Sequence, residues 1–292
     1  MKLDRGVLVA MALGGALAVQ ASPNVSVEAV QAPAWVVRGE QRLPLVPGQE
    51  LKNHDRLETG GDARVLLRLA EGSAVKLGEN ATLKVDALGR REGNVFTAAF
   101  DVVSGAFRFT TGIFSKAHNK RAVNVRVATI TAGIRGTDLW GSSDAERDLI
   151  CLLEGRITVT HPEAEPVLMD EPLSFYVAPK GLAPKPVSAA DPAQVAQWAE
   201  ETEARTGHGV ARRNGAWKVQ FATVDDEATA LAMYDRVRAA GYPVRIKPVA
   251  DGAGGYRYDL RVPNLATKAD AEALATRLRP DIGVESTRSV RF

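Results

Sequence analysis

Residues 65–85, VLLRLAEGSAVKLGENATLKV, carry the clearest strand pattern in the first half of the chain. Three short apolar runs, at residues 65–69, 74–77 and 82–85, are separated by turn-forming residues around Gly72 and Gly78. Runs of about four to eight residues bounded by Gly, Asn and Ser are typical of β-strands. The stretch therefore predicts a three-stranded β-meander.

The same pattern extends outward from this stretch, with hardly any helical periodicity between residues 25 and 177. Turn signals recur about every 8 to 12 residues, which is the spacing of a β-sandwich or roll. The sequence predicts an all-β sandwich or roll over residues 24–178. Beyond the meander, its strands are predicted at residues 106–109, 123–127, 149–153 and 156–159.

The periodicity changes after Ala216 and predicts a second domain over residues 215–292. The strand and helix order is βαβ-βαβ, a weak internal repeat of about 40 residues. This order predicts an α+β domain of the ferredoxin or RNP type, with an antiparallel sheet backed by two helices. Strands are predicted at residues 217–221, 244–247, 256–262 and 282–290, and helices at 227–240, ended by Gly241, and from the cap Thr267 to Leu278.

Residues 179–214 are predicted to form a linker between the two domains. Prolines at its start predict a stiff, extended spacer. A short helix is predicted over residues 192–204, with Asp191 as its N-cap. Trp198 on this helix is expected to dock onto the β domain, and stacking on a ligand is the alternative. Glycines and arginines over residues 207–215 predict a mobile link.

Residues 1–21 have the features of a signal peptide. Lys2 and Arg5 are followed by an apolar run of about 13 residues, and small residues precede a cleavage site after Ala21. That run is shorter than the about 20 residues a membrane-spanning helix needs. We therefore expect a periplasmic protein with no stable membrane span after cleavage. An N-terminal anchor that is not cleaved is the alternative.

The charge balance does not favour a nucleic-acid binder, and the motifs do not favour an enzyme. The chain has 37 basic and 35 acidic side chains, a net charge of +2, whereas nucleic-acid binders usually concentrate positive charge. The four histidines lack metal-ligand spacing, and common catalytic motifs are absent. The single cysteine, Cys151, lies in an apolar run and is expected to be an inert core thiol. We predict a non-enzymatic protein without metal or cofactor, a catalytic site built from distant residues being the alternative.

Several motifs of the first domain resemble the FecR domain. They are LVPGQEL at residues 45–51, LRLAEGS at 67–73, GAFRFTTG at 105–112, AGIRGT at 132–137 and LEGRITV at 153–159. The resemblance covers about 130 residues and implies an envelope binding or sensing module of unknown ligand. Arg135, between two glycines, is expected to support the fold, and contact with a ligand is the alternative. Many FecR proteins signal across the membrane to a sigma factor, which is not expected here because six residues precede the apolar run.

The second domain resembles the SPOR domain, the sporulation-related repeat. The resemblance rests on WKVQF at residues 217–221, Gly241-Tyr242, YDLRV at 258–262 and TKADA at 267–271. It implies binding of septal peptidoglycan, in the form of glycan strands without stem peptides, on the open face of the sheet. The chain departs from the family at Pro263-Asn264-Leu265 and at Asp259.

Strand periodicity predicts which side chains lie on that open face. Period two places Val219 and Phe221 toward the helices and Lys218 and Gln220 outward. In the third strand it places residues 258, 260 and 262 inward and residues 257, 259 and 261 outward. A glutamine on an open sheet can donate to and accept from sugar hydroxyls and N-acetyl groups. The predicted glycan-binding residues are Gln220, Thr223, Tyr256, Arg257 and Arg261.

Two functions are consistent with these observations. In the first, the protein binds denuded septal glycan through the second domain, is enriched at the division septum, and presents the first domain as a binding or sensing module. In the second, it is a periplasmic scaffold or regulatory protein that contacts an envelope or division protein, and the second domain does not bind glycan. A measurement of binding to sacculi distinguishes the two functions, because only the first requires the second domain to bind glycan.

Overall fold

The computed structural model describes residues 24–91, 95–111, 121–134, 136–252, 254–284 and 287–291. The predicted signal peptide, residues 1–21, and Arg135 lie outside the described residues. Within the described ranges, none of the helices combines the length and the apolar character needed to cross a bilayer.

The chain is mostly β-structure, with three described helices in its C-terminal part. The strands are β1 (Val25–Gln31), β2 (Ala34–Arg38), β3 (Gln41–Pro44), β4 (Arg56–Thr59), β5 (Arg64–Leu69), β6 (Ala74–Leu77), β7 (Thr82–Arg91), β8 (Val95–Thr110), β9 (Arg121–Val127), β10 (Ile130–Ile134), β11 (Asp138–Ser143), β12 (Arg147–Glu154), β13 (Ile157–His161), β14 (Ala164–Met169), β15 (Ser174–Pro179), β16 (Ser188–Ala189), β17 (Val210–Arg212), β18 (Trp217–Val224), β19 (Arg245–Ala250), β20 (Tyr256–Leu265) and β21 (Arg288–Arg291). The helices are α1 (Pro192–Glu201), α2 (Glu227–Ala239) and α3 (Lys268–Ile282).

The first domain is a pair of β-sheets that share one long strand, which confirms the all-β prediction. The first sheet has the order β16–β15–β12–β11–β8–β6–β5–β1. The second has the order β3–β2–β4–β7–β8–β9–β10–β13–β14, and only its β8–β9 pair is parallel among the described strands. β8 passes from one sheet to the other at Gly105, which has a φ of +80°. A Cβ there would lie 2.5 Å from Ala81 Cα, so only glycine allows this crossing.

The core of the first domain lies between the two sheets. The alternation in β5 shows why, since Val65, Leu67 and Leu69 are buried while the residues between them are not. Phe96, Phe100, Phe107 and Phe109, all from β8, fill the middle of the core. Burying one such side chain contributes about 1.5–3 kcal/mol to folding. The alternation of buried and exposed residues along the strands therefore accounts for a large part of the stability.

Helix α1 packs on the outer face of the first sheet, as predicted for Trp198. The Trp198 indole stacks on that of Trp140, with ring centroids 4.8 Å apart. The Asp191 side chain caps the helix by accepting from Ala193 N at 2.9 Å. The helix ends at Glu201, earlier than the predicted Ala204, with Thr202 as its C-cap, and the Thr202 hydroxyl donates to Ala199 O at 3.3 Å.

The link that follows α1, which was predicted to be mobile over residues 207–215, makes backbone contacts with both domains. Its strand β17 pairs with β1 of the first domain and with Leu265 of β20 in the second. The buried Asp270 accepts from Gly207 N at 2.8 Å and from Val210 N at 3.0 Å. Gly207 and Gly209 have φ values of +89° and +84°, so these glycines form turns that place β17.

The second domain has the predicted βαβ-βαβ order, with an antiparallel sheet arranged β19–β20–β18–β21. Helix α3 continues to Ile282, beyond the predicted end at Leu278, although Pro280 lies within it. Leu274, Leu278 and Ile282 are all buried, so the apolar face continues past the proline and packing stabilises one more turn. The last strand accordingly starts at Arg288 rather than at Ile282.

The two domains also meet where strand β2 contacts the end of helix α2. Ala34 N donates to Gly241 O at 3.3 Å, and Trp35 Nε1 donates to Ala239 O at 3.1 Å. A Cβ on Gly241 would lie 2.6 Å from Trp35 Cζ2, so the indole occupies the space that a side chain would need. Together with β17, this contact fixes the orientation of the second domain against the first.

Candidate functional site

One face of the sheet in the second domain is covered by α2 and α3, and the opposite face carries polar side chains. Val219, Leu260 and Val262 point toward the helices and are buried. The residues between them in sequence point the other way and are exposed or half-buried. We call this second surface the open face. Its polar side chains are Lys218, Gln220, Thr223, Arg245, Lys247, Arg257, Asp259, Arg261 and Arg288.

A row of four polar side chains crosses the open face perpendicular to the strands. Gln220 is paired with Arg288 on one side and with Arg261 on the other, and Arg261 is paired with Arg245. Adjacent strands lie about 4.8 Å apart, so the row is roughly 14 Å long. This cross-strand row presents three guanidinium groups and one amide in a line.

A hydrogen-bonded group lies beside the cross-strand row. Gln220 Nε2 donates to Thr223 Oγ1 at 2.9 Å and to Asp259 Oδ1 at 3.0 Å. Thr223 Oγ1 donates to the same Asp259 oxygen at 2.8 Å. Thr223 reaches this face because the pairing register shifts between Gln220 and Ala222. Strict alternation would have placed it with Val219 and Phe221.

The open face is strongly basic, with six cationic side chains and one carboxylate. Partial burial lowers the pKa of Lys218, and the positive charges of Arg261 and Lys247 lower it further, against the opposing effect of Asp259. Neighbouring like charges of this kind are costly unless an anion neutralises them. The face is therefore suited to a negatively charged ligand.

The open face combines groups that can bind charged and neutral polar ligands. Within the described part of the chain, no group of three or more His, Cys, Asp or Glu side chains is arranged to hold a metal ion. Burial raises the pKa of the Cys151 thiol to about 12, as expected for an inert core cysteine. Guanidinium groups bind carboxylates with two parallel hydrogen bonds, and the glutamine amide adds contacts to neutral polar groups.

Four of the five predicted site residues lie on the open face: Gln220, Thr223, Arg257 and Arg261. Tyr256 does not join them. Alternation along β20 places Tyr256 on the side of Tyr258 and Leu260, at the far end of the strand, where it is 58% exposed. Its aromatic ring is not a stacking platform for a ligand on the row.

Sequence reasoning missed three basic residues of the open face, Arg245, Lys247 and Arg288. The period-two signal was present in β19, where half-buried Ile246 separates the more exposed Arg245 and Lys247. Arg288 was missed because the last strand was predicted to start too early, so the pairing of Arg288 with Gln220 was not recognised.

Two family models match the chain, one in each domain. The model of the family described as "SPOR domain" matches residues 214–287, and that described as "FecR protein" matches residues 55–158. Two crystal structures titled as a "putative anti-sigma factor from Parabacteroides distasonis ATCC 8503" align with 81% of this chain and 98% or 97% of theirs, at 13% identity and a TM-score of 0.40. At that score the alignment supports no conclusion about this chain. A search among curated proteins finds no match.

The family matches coincide with the two units of the fold. The FecR match lies within the paired sheets of the first domain, and the SPOR match covers β18, β19 and β20 of the sheet that carries the open face. The chain is a FecR-domain protein with a C-terminal SPOR domain.

Proposed function

We propose that this protein binds denuded peptidoglycan glycan strands on the open face of its SPOR domain. A SPOR domain implies peptidoglycan binding, and FecR and SPOR domains are typical of envelope proteins. The observation that carries the proposal is the cross-strand row, in which Gln220 lies between Arg288 and Arg261.

The charge of the row supports a preference for glycan without stem peptides. An amidase hydrolyses the amide between the lactyl group of N-acetylmuramic acid and the first peptide residue, and this leaves a lactyl carboxylate. On a denuded strand each disaccharide unit therefore carries one carboxylate on the sugar itself, while the carboxylates of the stem peptide leave with the peptide. Guanidinium groups on Arg261, Arg245 and Arg288 suit such carboxylates. Removal of the stem peptide also lets the glycan approach the open face more closely.

The hydrogen-bonded group supports a role for Gln220 in orienting the sugar. Its Nε2 is engaged by Thr223 and Asp259, so the amide is held in one orientation. The amide oxygen is then the atom that meets an N-acetyl N–H or a hydroxyl of the ligand. Asp259, a departure from the family pattern, acts in this arrangement as a positioning residue for Gln220 and Thr223.

The proposal includes a location and a role for the whole chain. Glycan without stem peptides marks the septum, so the protein is proposed to be periplasmic and enriched at the division site. FecR and SPOR domains are binding or regulatory modules, and we expect no enzymatic activity of this chain. The FecR domain is proposed to present a binding or sensing surface at that site.

Co-sedimentation of the purified protein with sacculi, before and after amidase treatment, tests the proposal. Binding should increase on treated sacculi. Gln220→Ala should reduce it about tenfold, the equivalent of one or two hydrogen bonds. Tyr256→Ala, on the helix side of the same sheet, is the matched control and should bind like the wild type. Absence of binding to both kinds of sacculi would favour the scaffold function instead.

A further inference from the structure

A cavity of about 290 Å³ lies between the two domains at the edge of the SPOR sheet. Its wall on the side of the first domain is the segment that follows β3, including Val46 and Gln49. On the SPOR side it is lined by Tyr234 of α2, Arg245 of β19 and Pro263 of β20. We call this cavity the junction groove.

The walls of the junction groove are held in fixed positions. On one side, β3 is paired with β2, and Trp35 of β2 donates to the end of helix α2 at Ala239. On the other side, Tyr234 and Arg238 of α2 are hydrogen-bonded to each other through the phenol and the guanidinium. Because both walls belong to elements that contact each other directly, the groove is a preformed feature of the folded chain.

The junction groove is continuous with the cross-strand row. Arg245 belongs to both, since it pairs with Arg261 in the row and lines the groove. β19 is the edge strand of the SPOR sheet, so a ligand that extends along the row past Arg245 leaves the sheet at this point. The groove is the surface that it meets next.

The lining of the junction groove has the chemistry of a saccharide subsite. Tyr234, which is half-buried, offers an aromatic surface for the C–H face of a sugar ring. Gln49 adds an amide for hydroxyl or N-acetyl groups. Arg238 and Arg245 provide positive charge for a carboxylate on the same ligand.

We propose that the FecR domain contributes a wall to the glycan site, so that one denuded strand occupies both the open face and the junction groove. The inference rests on the proposed function of the SPOR domain. It makes the two domains a single binding unit in which the segment around Val46 recognises the continuation of the strand. Long glycan fragments then bind more tightly than fragments that fit on the row alone.

The test measures the affinity of the full chain for denuded glycan fragments of one disaccharide unit and of several units. Val46→Glu places a negative charge in the groove, opposite the lactyl carboxylates of the ligand. It should weaken binding of the longer fragments about tenfold and leave binding of the single unit unchanged. Leu182→Glu, at a 66% exposed residue outside the groove lining, is the matched control and should bind both like the wild type.

The outcomes separate the two proposals. If the wild type binds long and short fragments and Val46→Glu behaves like Leu182→Glu, the groove is not part of the site, and the SPOR assignment stands. If the wild type binds neither, both proposals are overturned. If Val46→Glu does not fold, Leu43→Glu tests the same wall, because Leu43 lines the groove and is already 36% exposed.

Discussion

Trp198 of helix α1 stacks on Trp140 of the first sheet, with the two ring planes only 8° apart. Phe175 meets the edge of the same indole at 6.4 Å, which completes an aromatic cluster on the outer face of the sheet. This cluster lies over buried Cys151, so the helix after the predicted spacer packs on a second, smaller hydrophobic cluster outside the core between the sheets.

Trp198→Ala should lower the free energy of unfolding by about 1–3 kcal/mol, because the half-buried indole loses its stacking and apolar contacts. Urea unfolding followed by circular dichroism measures this. Gln197→Ala, at an exposed position of the same helix, is the control and should change the stability little. Equal stability of the two variants would show that α1 does not dock in solution.

Gly241→Ala should destabilise the contact between the domains. Gly241 has a φ of +87°, and an added Cβ would lie 2.6 Å from the Trp35 ring, so both strain and a clash are expected, at about 2–4 kcal/mol in all. Gly252→Ala is a matched control, since Gly252 has a φ of +81° and no atom within 4 Å of the added Cβ. The control should cost about 1 kcal/mol. Calorimetry should show the larger shift for Gly241→Ala, and equal shifts would contradict the observed contact.

Asp270→Asn should weaken both the cap of α3 and the attachment of the link. The buried carboxylate accepts from Thr267 Oγ1 at 2.6 Å and from the two link amides, and an asparagine offers one acceptor in place of two. We expect a loss of about 1–3 kcal/mol. Hydrogen exchange should accelerate at Val210 in this variant. Asp226→Asn, at the exposed cap of α2, should leave the exchange of Val210 unchanged.

The stability of the first domain should fall in acid partly through Asp148. Burial alone raises the pKa of this carboxyl, but hydrogen bonds from Lys180, Thr129 and Ser143 outweigh it and hold the pKa below its ordinary value of 3.8. A pKa that is lowered by folding contributes stability above the unfolded value, and this stability is lost as the pH falls through the folded value. Asp148→Asn should therefore flatten the decrease in unfolding free energy below about pH 4. Asp170→Asn, which removes an exposed carboxylate, should leave that decrease as it is in the wild type.

Glycan binding should depend on salt through the cross-strand row. Arg261→Gln removes the central guanidinium, so we expect about tenfold weaker binding at low salt and a smaller further loss as salt is added. Arg279→Gln, on the exposed surface of helix α3, keeps the same net charge as Arg261→Gln and serves as the control. If the two variants lose affinity equally, net charge rather than the row determines binding.

The periodicity of single elements was sufficient to predict most of the fold. Period-two alternation identified β5, β6 and β18, and the predicted start of α3 at the cap Thr267 is observed. These features depend on local contacts, which a sequence shows directly. The same alternation predicted that Gln220 and Arg261 point away from the buried face, and the structure shows this orientation.

The sequence was a poorer guide where distant residues decide the structure. The link was predicted to be mobile from its glycines and arginines, yet Asp270, 60 residues further on, accepts a hydrogen bond from Val210 N. Thr223 reaches the open face through a register shift that depends on the partner strand β20. Arg288 was missed because the predicted last strand was too long, so its pairing with Gln220 was not recognised.

Strand β17 determines how far the first domain can reach. If residues 207–215 were a flexible tether, the first domain could take many positions relative to the SPOR domain and could contact partners at many distances from it. Paired on both sides, β17 instead acts as a fixed spacer, with Ala211 opposite Val30 on one edge and Leu265 on the other. If the proposed function holds, a partner of the FecR domain is therefore kept at one distance and one orientation from the glycan bound by the SPOR domain.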